Sequence, residues 1–398
     1  MNITILGSTG SIGINTLDVA RQHTERFEIH ALVAGRNVEA LSSQILEFRP
    51  KVAVVADSVA LNALTRSLAD RNLPRSSWPE LAQGGPARVS AATAPEVDFV
   101  MSAIVGVAGL PATYRAIKER KRVGLANKEV LVASGRVVME AVREYGVEMI
   151  PVDSEHNGAH QCFRAGRRED VARLLLTASG GPFRETPKDT LWEITPEQAL
   201  RHPTWKMGPR ITIDSATMMN KGFEVIEACW LFDLQPDRVD VVVHPQSSIH
   251  AMVEYNDGSV IAQASATDMR MPIQYAMTYP ERERAPVPRL DWRQPRTWHF
   301  EPPDLDKFRL LKLAYEAQEQ GGSATCTLNA ADEVAVEAFL AGRIPFPMIA
   351  ETVEETLSRH GTRKAATIEE VIEVDLASRE TARSVLAESK WNAASRRP

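Results

Sequence analysis

The sequence predicts an α/β protein with an N-terminal Rossmann-like parallel sheet, a central α+β domain and a C-terminal helical bundle. Three observations predict this fold class. Short apolar runs alternate with helical patterns over residues 1–150, and a glycine-rich turn directly follows the first run. Amphipathic helical patterns then occupy the chain from residue 307 onwards. A length of 398 residues suits two to three domains.

The first 150 residues carry the signature of a parallel sheet. Apolar runs predict strands at 3–6, 27–34, 52–56, 97–104, 123–126 and 147–152. Between these runs, apolar residues recur three and four positions apart, as in the helices predicted at 38–48 and 110–120. Strands that alternate with helices favour βαβ units, whose sheet is buried on both faces.

The pattern changes beyond residue 150. Further strands are predicted at 174–178, 211–213 and 239–243. Runs at 249–255 and 259–264 flank Asn256-Asp257-Gly258, which is a strong signal for a β-hairpin turn. We therefore expect a second domain with an antiparallel or mixed sheet.

Prolines and amphipathic patterns divide the rest of the chain. Residues 280–305 are rich in Pro, Arg and Trp, which predicts an extended linker. Helices are predicted at 307–320, 329–340, 347–359 and 376–389. The predicted division is therefore a first domain at 1–150, a second at 151–280, a linker at 281–306 and a helical bundle at 307–398.

Composition excludes several classes of protein. The 46 basic residues are outnumbered by 52 acidic ones, which argues against a dedicated nucleic-acid-binding protein. No apolar run approaches the roughly 20 residues that span a bilayer, so we expect no membrane partner. Cys162, Cys229 and Cys326 are too few and too scattered for a disulfide framework or a structural zinc site. With no leader-like segment at the start, we expect a cytoplasmic protein.

The glycine-rich turn predicts a nucleotide site. Gly7-Ser8-Thr9-Gly10-Ser11-Ile12-Gly13 runs from the first strand into a helical pattern, with GxxGxxG spacing in place of the commoner GxGxxG. Glycines there allow the backbone to approach a pyrophosphate, whose charge lies at the helix N-terminus. A plain βα turn is the alternative interpretation.

The end of the second predicted strand bears on cofactor choice. Ala34-Gly35-Arg36-Asn37 offers no carboxylate for a free ribose 2′-hydroxyl. The Arg36 guanidinium suits a 2′-phosphate, which it can bind in a bidentate manner. This favours NADPH over NADH, against the alternative that Arg36 is a solvated helix-start arginine.

Acidic residues after the strand at 147–152 suggest a metal site. Asp153 and Glu155 are two positions apart, so on a continuing strand both would point to one side. Two converging carboxylates favour a hard divalent cation between them. Acidic pairs are more commonly solvated, however, so this signal is weak by itself.

The segment 211–224 is denser in chemistry-bearing groups. The side chains of Ser215, Asn220 and Lys221 could bind a phosphate. Glu224 could complete the carboxylate ligands of a metal ion, and Glu227 is the alternative residue for that role. Ser179-Gly180-Gly181 offers a second anion loop. Between these segments, residues 202–209 combine Pro and Gly with Trp205 and Met207, which indicates either an ordinary loop or a lid over a substrate.

Together these segments resemble the 1-deoxy-D-xylulose 5-phosphate reductoisomerase family of the non-mevalonate isoprenoid pathway. The matching stretches, in the family's order, are 7–13, 126–129, 152–156, 179–183, 202–208, 214–227 and 244–247. The run 214–222 is long and highly specific. Position 36, often Lys in the family, is Arg here and keeps the charge. Position 204, often Asn in the family, is Thr here and lies in the 202–208 stretch.

The resemblance implies an NADPH-binding domain, a catalytic domain with a lid loop, a C-terminal four-helix bundle and a cytoplasmic homodimer. It implies conversion of the sugar phosphate 1-deoxy-D-xylulose 5-phosphate to 2-C-methyl-D-erythritol 4-phosphate, with NADPH and Mg²⁺ or Mn²⁺. Cofactor contacts are implied for Thr9, Gly10, Ser11, Ile12, Gly35, Arg36, Asn37, Asn127, Glu129 and Gly208. Metal ligands are implied at Asp153, Glu155 and Glu224.

The same resemblance implies how the substrate is held. Substrate contacts are implied for Lys128, Ser154, Glu155, Ser179, His202, Trp205, Met207, Ser215, Asn220, Lys221 and Glu224. Among these, catalytic roles are implied for Lys128, Glu155, His202 and Glu224. Trp205 and Met207 belong to the implied lid.

Two rival functions are consistent with parts of the sequence. An NADP-dependent semialdehyde dehydrogenase also opens with a glycine-rich turn, but its chemistry needs an activated thiolate. Cys229 lies in an apparent helix, and no cysteine has a recognisable nucleophile context. A redox sensor that binds NADPH without chemistry is the second rival, and the predicted metal ligands argue against it.

Overall fold

A computed structural model of the chain describes residues 1–71, 74–205 and 207–389. The described residues form two compact units. The first unit comprises residues 1–130, 138–160 and 268–289. The second comprises residues 131–137, 161–267 and the described residues from 290 onwards. The division into 1–150, 151–280, 281–306 and 307–398 stays a prediction, and residues 390–398 of the predicted bundle lie outside the described part.

Strands and helices alternate along the chain. The first elements are β1 (Asn2–Leu6), α1 (Ser11–Gln22), β2 (Glu28–Val33), α2 (Val38–Phe48), β3 (Val52–Val55), α3 (Ser58–Asp70), β4 (Glu80–Gln83), α4 (Gly84–Thr93), β5 (Phe99–Ser102), α5 (Leu110–Lys118), β6 (Arg122–Leu125), α6 (Glu129–Tyr145), β7 (Met149–Pro151) and α7 (Ser154–Cys162). The later elements are β8 (Val171–Ala178), α8 (Pro196–Ala199), α9 (Pro209–Ala216), α10 (Met219–Phe232), β9 (Val239–Val243), β10 (Ile249–Tyr255), β11 (Val260–Ala264), α11 (Arg270–Thr278), α12 (Arg309–Gln320), α13 (Ala324–Leu340), α14 (Met348–His360) and α15 (Ile368–Glu388).

The first unit is built around a parallel sheet, as predicted. Its strands have the order β4-β3-β2-β1-β5-β6-β7 within the described residues. Phe99 and Met101 of β5 pack in one apolar cluster, whereas Val100 between them packs in another. Because both faces of the sheet are covered, inner strands such as β3 and β5 are mainly apolar and do not alternate with polar residues. The structure therefore confirms the α/β fold class.

One strand of this sheet was not predicted from the sequence. β4 has the sequence Glu-Leu-Ala-Gln, and its residues are exposed or half-buried. It lies at the edge of the sheet. A short edge strand needs little apolar surface, so the periodicity of the sequence does not reveal it.

The glycine-rich turn lies where the strand order reverses, between β1 and β5. Open α/β sheets bind nucleotides at such a switch point. Gly7 has φ +94°, and a Cβ there would lie 2.5 Å from the carbonyl oxygen of Ala103. A Cβ on Gly13 would lie 2.3 Å from the carbonyl oxygen of Gly7. Both positions therefore require glycine for steric reasons.

We expect Gly13→Ala to disrupt this turn. The added methyl group meets backbone atoms, which cannot rotate away as a side chain can, so we expect a loss of about 1–3 kcal/mol in the free energy of unfolding. Gly85→Ala is the matched control, because a Cβ there meets no atom within 4 Å. Chemical denaturation of both variants checks this, and equal stability of the two would contradict it.

The second unit contains a mixed sheet, as predicted. Its strand order is β11-β10-β8-β9 in the described part of the chain, with β8 and β9 parallel and the other pairs antiparallel. The hairpin predicted at residues 256–258 joins β10 to β11, and Gly258 adopts φ +83°. β9 and β10 have the predicted bounds.

The strand predicted at 211–213 is wrong, because these residues lie in helix α9. The β-branched run Ile-Thr-Ile favours a strand. Against it, Pro209 occupies the first turn after Gly208 at the N-cap, where proline favours a helix start. Ile213 is fully buried in the second unit's core, so tertiary packing outweighs local propensity.

The C-terminal helices pack around α13, which is buried along most of its length. Their core includes Leu328, Phe339, Ile349 and Val353. Two predicted starts were too late, because α13 begins at Ala324 and α15 at Ile368. The start of α15 is a capping box between Thr367 and Glu370. Residues 280–305 contain no helix, as predicted, and make one described bridge, between Val243 and Glu301.

None of the helices in the described residues is long and apolar enough to cross a membrane.

Candidate active site

The β1–α1 turn has the geometry that a pyrophosphate needs. Gly10 is the N-cap of α1, and the helix begins at Ser11. The backbone N–H groups of its first turn have no partner within the helix, so they can bind an anion. Gly10 and Ser11 are exposed, while Thr9 and Ile12 are half-buried. The structure thus brings these predicted cofactor residues together at the switch point.

Arg36 follows β2 and projects into solvent, with 82% of its side chain exposed. Its guanidinium is 2.9 Å from Asp57. Asp57 caps α3 by accepting a hydrogen bond from the N–H of Ala60 at 3.0 Å. That hydrogen bond, together with Arg36, lowers the pKa of Asp57. This pair has no local sequence signal, because Asp57 follows β3, the strand beside β2.

Asn37 and Gly35 lie beside Arg36 at the same strand end. Asn37 is the N-cap of α2, and its side-chain oxygen accepts a hydrogen bond from the N–H of Ala40 at 3.3 Å. A Cβ on Gly35 would meet no atom within 4 Å. Steric crowding therefore does not explain the glycine at position 35, and the space beside it is open.

Asn127 and Glu129 shape the loop that follows β5. The side-chain amide of Asn127 donates to the carbonyl oxygen of Gly106 at 3.0 Å, and Glu129 accepts from the N–H of Gly106 at 3.1 Å. The N–H of Glu129 also donates to Asn127 at 3.0 Å. Both side chains are buried, so they fix this loop beside the switch point.

Lys128 lies between these two residues and forms an ion pair with Asp153, and both side chains are largely buried. Burial opposes ionisation of Asp153, but the charges of Lys128 and His156 outweigh it and hold the pKa of that carboxyl well below its usual range. Asp153 is therefore a buried anion at neutral pH, as a metal ligand must be.

The strand geometry predicted for Asp153 and Glu155 is wrong. β7 ends at Pro151, and α7 begins at Ser154. Asp153 therefore lies just before the helix, and Glu155 lies in its first turn, where a carboxylate is favoured by the helix dipole. The hydroxyl of Ser154 donates a hydrogen bond to Glu155. The predicted residues of this segment are thus adjacent, on a helix start.

In the second unit, Ser179 and His202 form a hydrogen-bonded pair. The Nδ1 atom of His202 accepts from the N–H groups of Thr204 at 3.2 Å and Trp205 at 2.9 Å. This assigns the proton of the neutral ring to Nε2, which donates to Ser179 Oγ at 3.1 Å. Burial lowers the pKa of His202, which favours the neutral ring.

The loop after β8 packs directly against the end of α9. Gly181 has φ +67°, and a Cβ there would lie 2.6 Å from the carbonyl oxygen of Ser215. Its N–H donates to Ser179 Oγ at 3.2 Å. Ser179 Oγ therefore accepts two N–H groups, and its own hydroxyl proton is available for a further acceptor such as a phosphate oxygen.

Helix α10 carries the remaining predicted residues of this unit. Met218 precedes it in the left-handed region, with φ +61°, so the chain turns sharply between α9 and α10. Glu224 accepts a hydrogen bond from Asn220 at 2.6 Å and forms an ion pair with Lys221. Lys221 and Glu224 are both buried, and Glu227 is equally buried one turn further along.

Residues 202–205, 207 and 208 form no helix or strand, in agreement with the loop prediction. The ring centroid of Trp205 lies 6.5 Å from that of His250. Met207 is half-buried and Gly208 is exposed. Lys206 lies outside the described residues. A lid requires this segment to move, and that motion stays a prediction.

The three cysteines do not suit nucleophilic catalysis. All are buried and unpaired with one another. Burial raises the pKa of Cys162 and of Cys229 to about 12, and it raises that of Cys326 as well. A reactive thiolate needs a lowered pKa. The semialdehyde dehydrogenase interpretation therefore loses the group its chemistry depends on.

Family models match most of the chain. The 1-deoxy-D-xylulose 5-phosphate reductoisomerase model matches residues 3–135, and two C-terminal domain models of the same family match residues 149–232 and 264–381. The chain is 66% identical to the 1-deoxy-D-xylulose 5-phosphate reductoisomerase of Solibacter usitatus (strain Ellin6076), over 96% of each chain. It is 49% identical to that of Chlorobaculum tepidum, over 97% of this chain and 99% of the relative.

Solved structures agree with these matches. The fold is similar to that of the Zymomonas mobilis enzyme in complex with NADPH, with a TM-score of 0.90, 44% identity and coverage of 98% of this chain and 99% of that one. It is also similar to a reductoisomerase in complex with NADPH, fosmidomycin and magnesium, with a TM-score of 0.91, 38% identity and coverage of 97% and 98%. This chain belongs to the 1-deoxy-D-xylulose 5-phosphate reductoisomerase family.

Proposed function

We propose that this chain converts 1-deoxy-D-xylulose 5-phosphate to 2-C-methyl-D-erythritol 4-phosphate with NADPH and a divalent cation. The observation that carries the proposal is a pair of buried lysine–carboxylate contacts, Lys128–Asp153 and Lys221–Glu224, one in each unit. Burying an ion pair costs desolvation free energy that its attraction does not always repay, so stability alone is a weak reason for these pairs, and both lie in segments that match the family models. The ligands named for the relatives support the same assignment.

The donor set fits a hard divalent cation. We assign the cation to Asp153, Glu155 and Glu224, which supply only oxygen ligands. Asp153 is ionised despite its burial, and Glu224 is nearly inaccessible to water. When bound, Mg²⁺ or Mn²⁺ supplies a Lewis acid that stabilises negative charge on the substrate's carbonyl and hydroxyl oxygens. The ammonium group of Lys128 offsets the negative charge of Asp153, and that of Lys221 offsets the charge of Glu224.

The reaction rearranges the carbon skeleton of the substrate to a branched aldehyde and then reduces it. Lys128 precedes helix α6, and Glu155 lies in the first turn of helix α7. We assign both side chains contacts with substrate oxygens. The ammonium group of Lys128 pairs with Asp153 and can donate a further hydrogen bond to a developing negative charge. Ser154 orients Glu155 by donating to it.

We assign the phosphate of the substrate to residues of the second unit. Ser179, Ser215, Asn220 and Lys221 provide hydroxyl, amide and ammonium donors around the turn between α9 and α10. Gly181 brings the backbone of the Ser179 loop against that of Ser215. His202 donates from Nε2 to Ser179 and so fixes its hydroxyl for the phosphate.

The first unit holds the cofactor. Residues 9–12 place backbone N–H groups around the pyrophosphate, and Arg36 binds the 2′-phosphate, with Gly35 and Asn37 beside it. Asn127 and Glu129 position the loop after β5. When bound, NADPH supplies the hydride for the reduction. Trp205, Met207 and Gly208 belong to a lid that excludes water from the reacting substrate.

We also propose a homodimer. Val260 and Ile261 of β11 are 49% and 39% exposed, and β11 is an edge strand of its sheet. An exposed apolar edge strand favours pairing with a second chain. A cytoplasmic location fits this interpretation, since the buried free thiols suit a reducing compartment. The four-part domain division is retained as part of the same proposal.

Chelation separates this function from its closest rival. We expect thorough removal of divalent cations to abolish substrate-dependent oxidation of NADPH, and Mg²⁺ or Mn²⁺ to restore it. The reason is that only the cation supplies the Lewis acid that polarises the substrate. A thiol-blocking reagent is the matched treatment and should leave turnover intact, because every cysteine is buried. The opposite pattern would support a thiol-dependent dehydrogenase and contradict the proposal.

A further inference from the structure

A buried cluster of charged residues links α13 to the end of α9 within the second unit. Asp214 lies in the last turn of α9, and Asp332 lies in the middle of α13, where none of its surface is exposed. The Arg210 guanidinium lies between them, with nitrogens 3.7 Å from a carboxylate oxygen of Asp214 and 3.8 Å from one of Asp332. The two carboxyl groups therefore face the same cation.

Arg210 does not neutralise both carboxyl groups, because its guanidinium also binds other side chains. Its guanidinium also contacts Glu333 at 2.7 Å and donates to Asn329 at 2.9 Å. Arg379 contacts Glu333 and Asp375, at 2.7 Å and 2.6 Å. Two arginines thus face more carboxyl groups than they can balance. Two buried carboxyl groups beside each other cannot both ionise, so one of them retains a proton.

The side chain that retains the proton is Asp332. Burial and the charge of Asp214 raise the pKa of Asp332 well above its usual range, and Arg210 offsets only part of this rise. Neither carboxyl oxygen of Asp332 accepts a hydrogen bond from a described residue, which leaves this group free to carry a proton. Asp332 is therefore a neutral hydrogen-bond donor, and Asp214 is the charged acceptor that Arg210 faces.

Asp214 is directly connected to the residues assigned to the substrate phosphate. Ser215 is the next residue, and its carbonyl oxygen packs against Gly181 of the Ser179 loop. The backbone carbonyl of Asp214 accepts a hydrogen bond from Thr217 Oγ at 3.1 Å, and that same hydroxyl accepts from the N–H of Met219 at 3.3 Å. The position of Asp214 thus sets the turn from which Asn220 and Lys221 project.

We propose that Asp332, through a shared proton with Asp214, is a positioning residue for the phosphate-binding turn between α9 and α10. This inference rests on the proposed function, because it assigns the turn to the substrate's phosphate. We assign neither aspartate a contact with the substrate. Helix α13 instead holds α9 in place through the proposed shared proton and through Arg210, whose guanidinium faces both Asp332 and Asp214.

Two isosteric variants test the proposal. Asp332→Asn replaces a neutral donor with a neutral donor, so we expect KM for 1-deoxy-D-xylulose 5-phosphate to stay within about twofold of the native value. Asp214→Asn removes the charge that Arg210 faces, so we expect KM to rise about tenfold, with kcat and the Kd for NADPH changing less than about threefold. Equal KM values for the two variants would overturn the assignment of the proton.

Asp375→Asn is the matched control, because Asp375 is a buried aspartate of the same cluster but pairs with Arg379 on its own helix, α15. We expect it to lower Tm without changing KM. If Asp214→Asn lowered Tm to the same extent and left KM unchanged, the pair would be merely structural and the proposal would be wrong.

A spectroscopic measurement keeps the inference separate from the proposed function. We expect the native protein at neutral pH to show the infrared C=O band of a buried protonated carboxylic acid, and Asp332→Asn to lack it. Absence of this change would overturn the shared proton whether or not the protein turns over the sugar phosphate. Absence of turnover by the native protein, with the band present, would instead contradict the proposed function alone.

Discussion

Glu224→Gln is expected to reduce turnover of 1-deoxy-D-xylulose 5-phosphate by about a hundredfold or more while the fold is retained. Gln has the same shape and keeps an acceptor for Asn220, which lies 2.6 Å from Glu224. It removes the negative charge that the cation requires. Loss of one fixed transition-state contact costs on the order of 3 kcal/mol, which corresponds to a loss of this size. Steady-state kinetics at saturating Mg²⁺ checks the result.

The comparison with Glu227→Gln decides which carboxylate is the ligand. Both glutamates are 1% exposed on α10, one turn apart, so burial does not distinguish them. We expect Glu224→Gln to show the larger loss in kcat, with NADPH affinity and Tm close to native. Native activity in Glu224→Gln, together with a large loss in Glu227→Gln, would transfer the ligand role to Glu227.

Arg36→Asp is expected to weaken NADPH binding by about a hundredfold and to change NADH binding by less than about threefold. The guanidinium provides charge-assisted hydrogen bonds to a 2′-phosphate, each worth roughly 1.5–3 kcal/mol. The substituted carboxylate repels that phosphate, and NADH has none. Titration of both cofactors with the same protein gives the ratio of dissociation constants.

Asp57→Asn is the control for this variant. Asp57 holds Arg36 and caps α3, and Asn caps helices equally well, so the helix start is retained. Removing the charge frees Arg36 from its partner, and we therefore expect NADPH to bind at least as tightly as to the native protein. If Arg36→Asp weakened NADPH and NADH equally, Arg36 would not distinguish the two cofactors.

Local sequence signals predicted most of the fold. The alternation of apolar runs and helical patterns identified the parallel sheet, since strands buried on both faces are apolar throughout. Asn256-Asp257-Gly258 located the hairpin because its turn needs a residue of positive φ at Gly258. The strand predicted at 211–213 failed because tertiary burial of Ile213 and the proline at the start of α9 outweighed β-branched propensity. β4 was missed because it is a short edge strand with little apolar surface.

The site was predictable where it depends on sequence neighbours and not where it depends on long-range contacts. Asn220, Lys221 and Glu224 lie within two turns of one helix, so their proximity follows from spacing alone. The pairing of Lys128 with Asp153 joins the ends of two neighbouring strands, β6 and β7, which only the sheet order brings together. The contact between Asp332 and Arg210, at the start of α9, spans more than a hundred residues and carries no local signal.

The identity of the product tests the central claim most directly. Incubation of the protein with 1-deoxy-D-xylulose 5-phosphate, Mg²⁺ and NADPH deuterated at the transferable position should yield 2-C-methyl-D-erythritol 4-phosphate that carries one deuterium, identified by mass spectrometry and NMR. One NADPH should be oxidised for each product formed. A reduced product with an unbranched carbon chain, or no product with either Mg²⁺ or Mn²⁺, would contradict the proposed function.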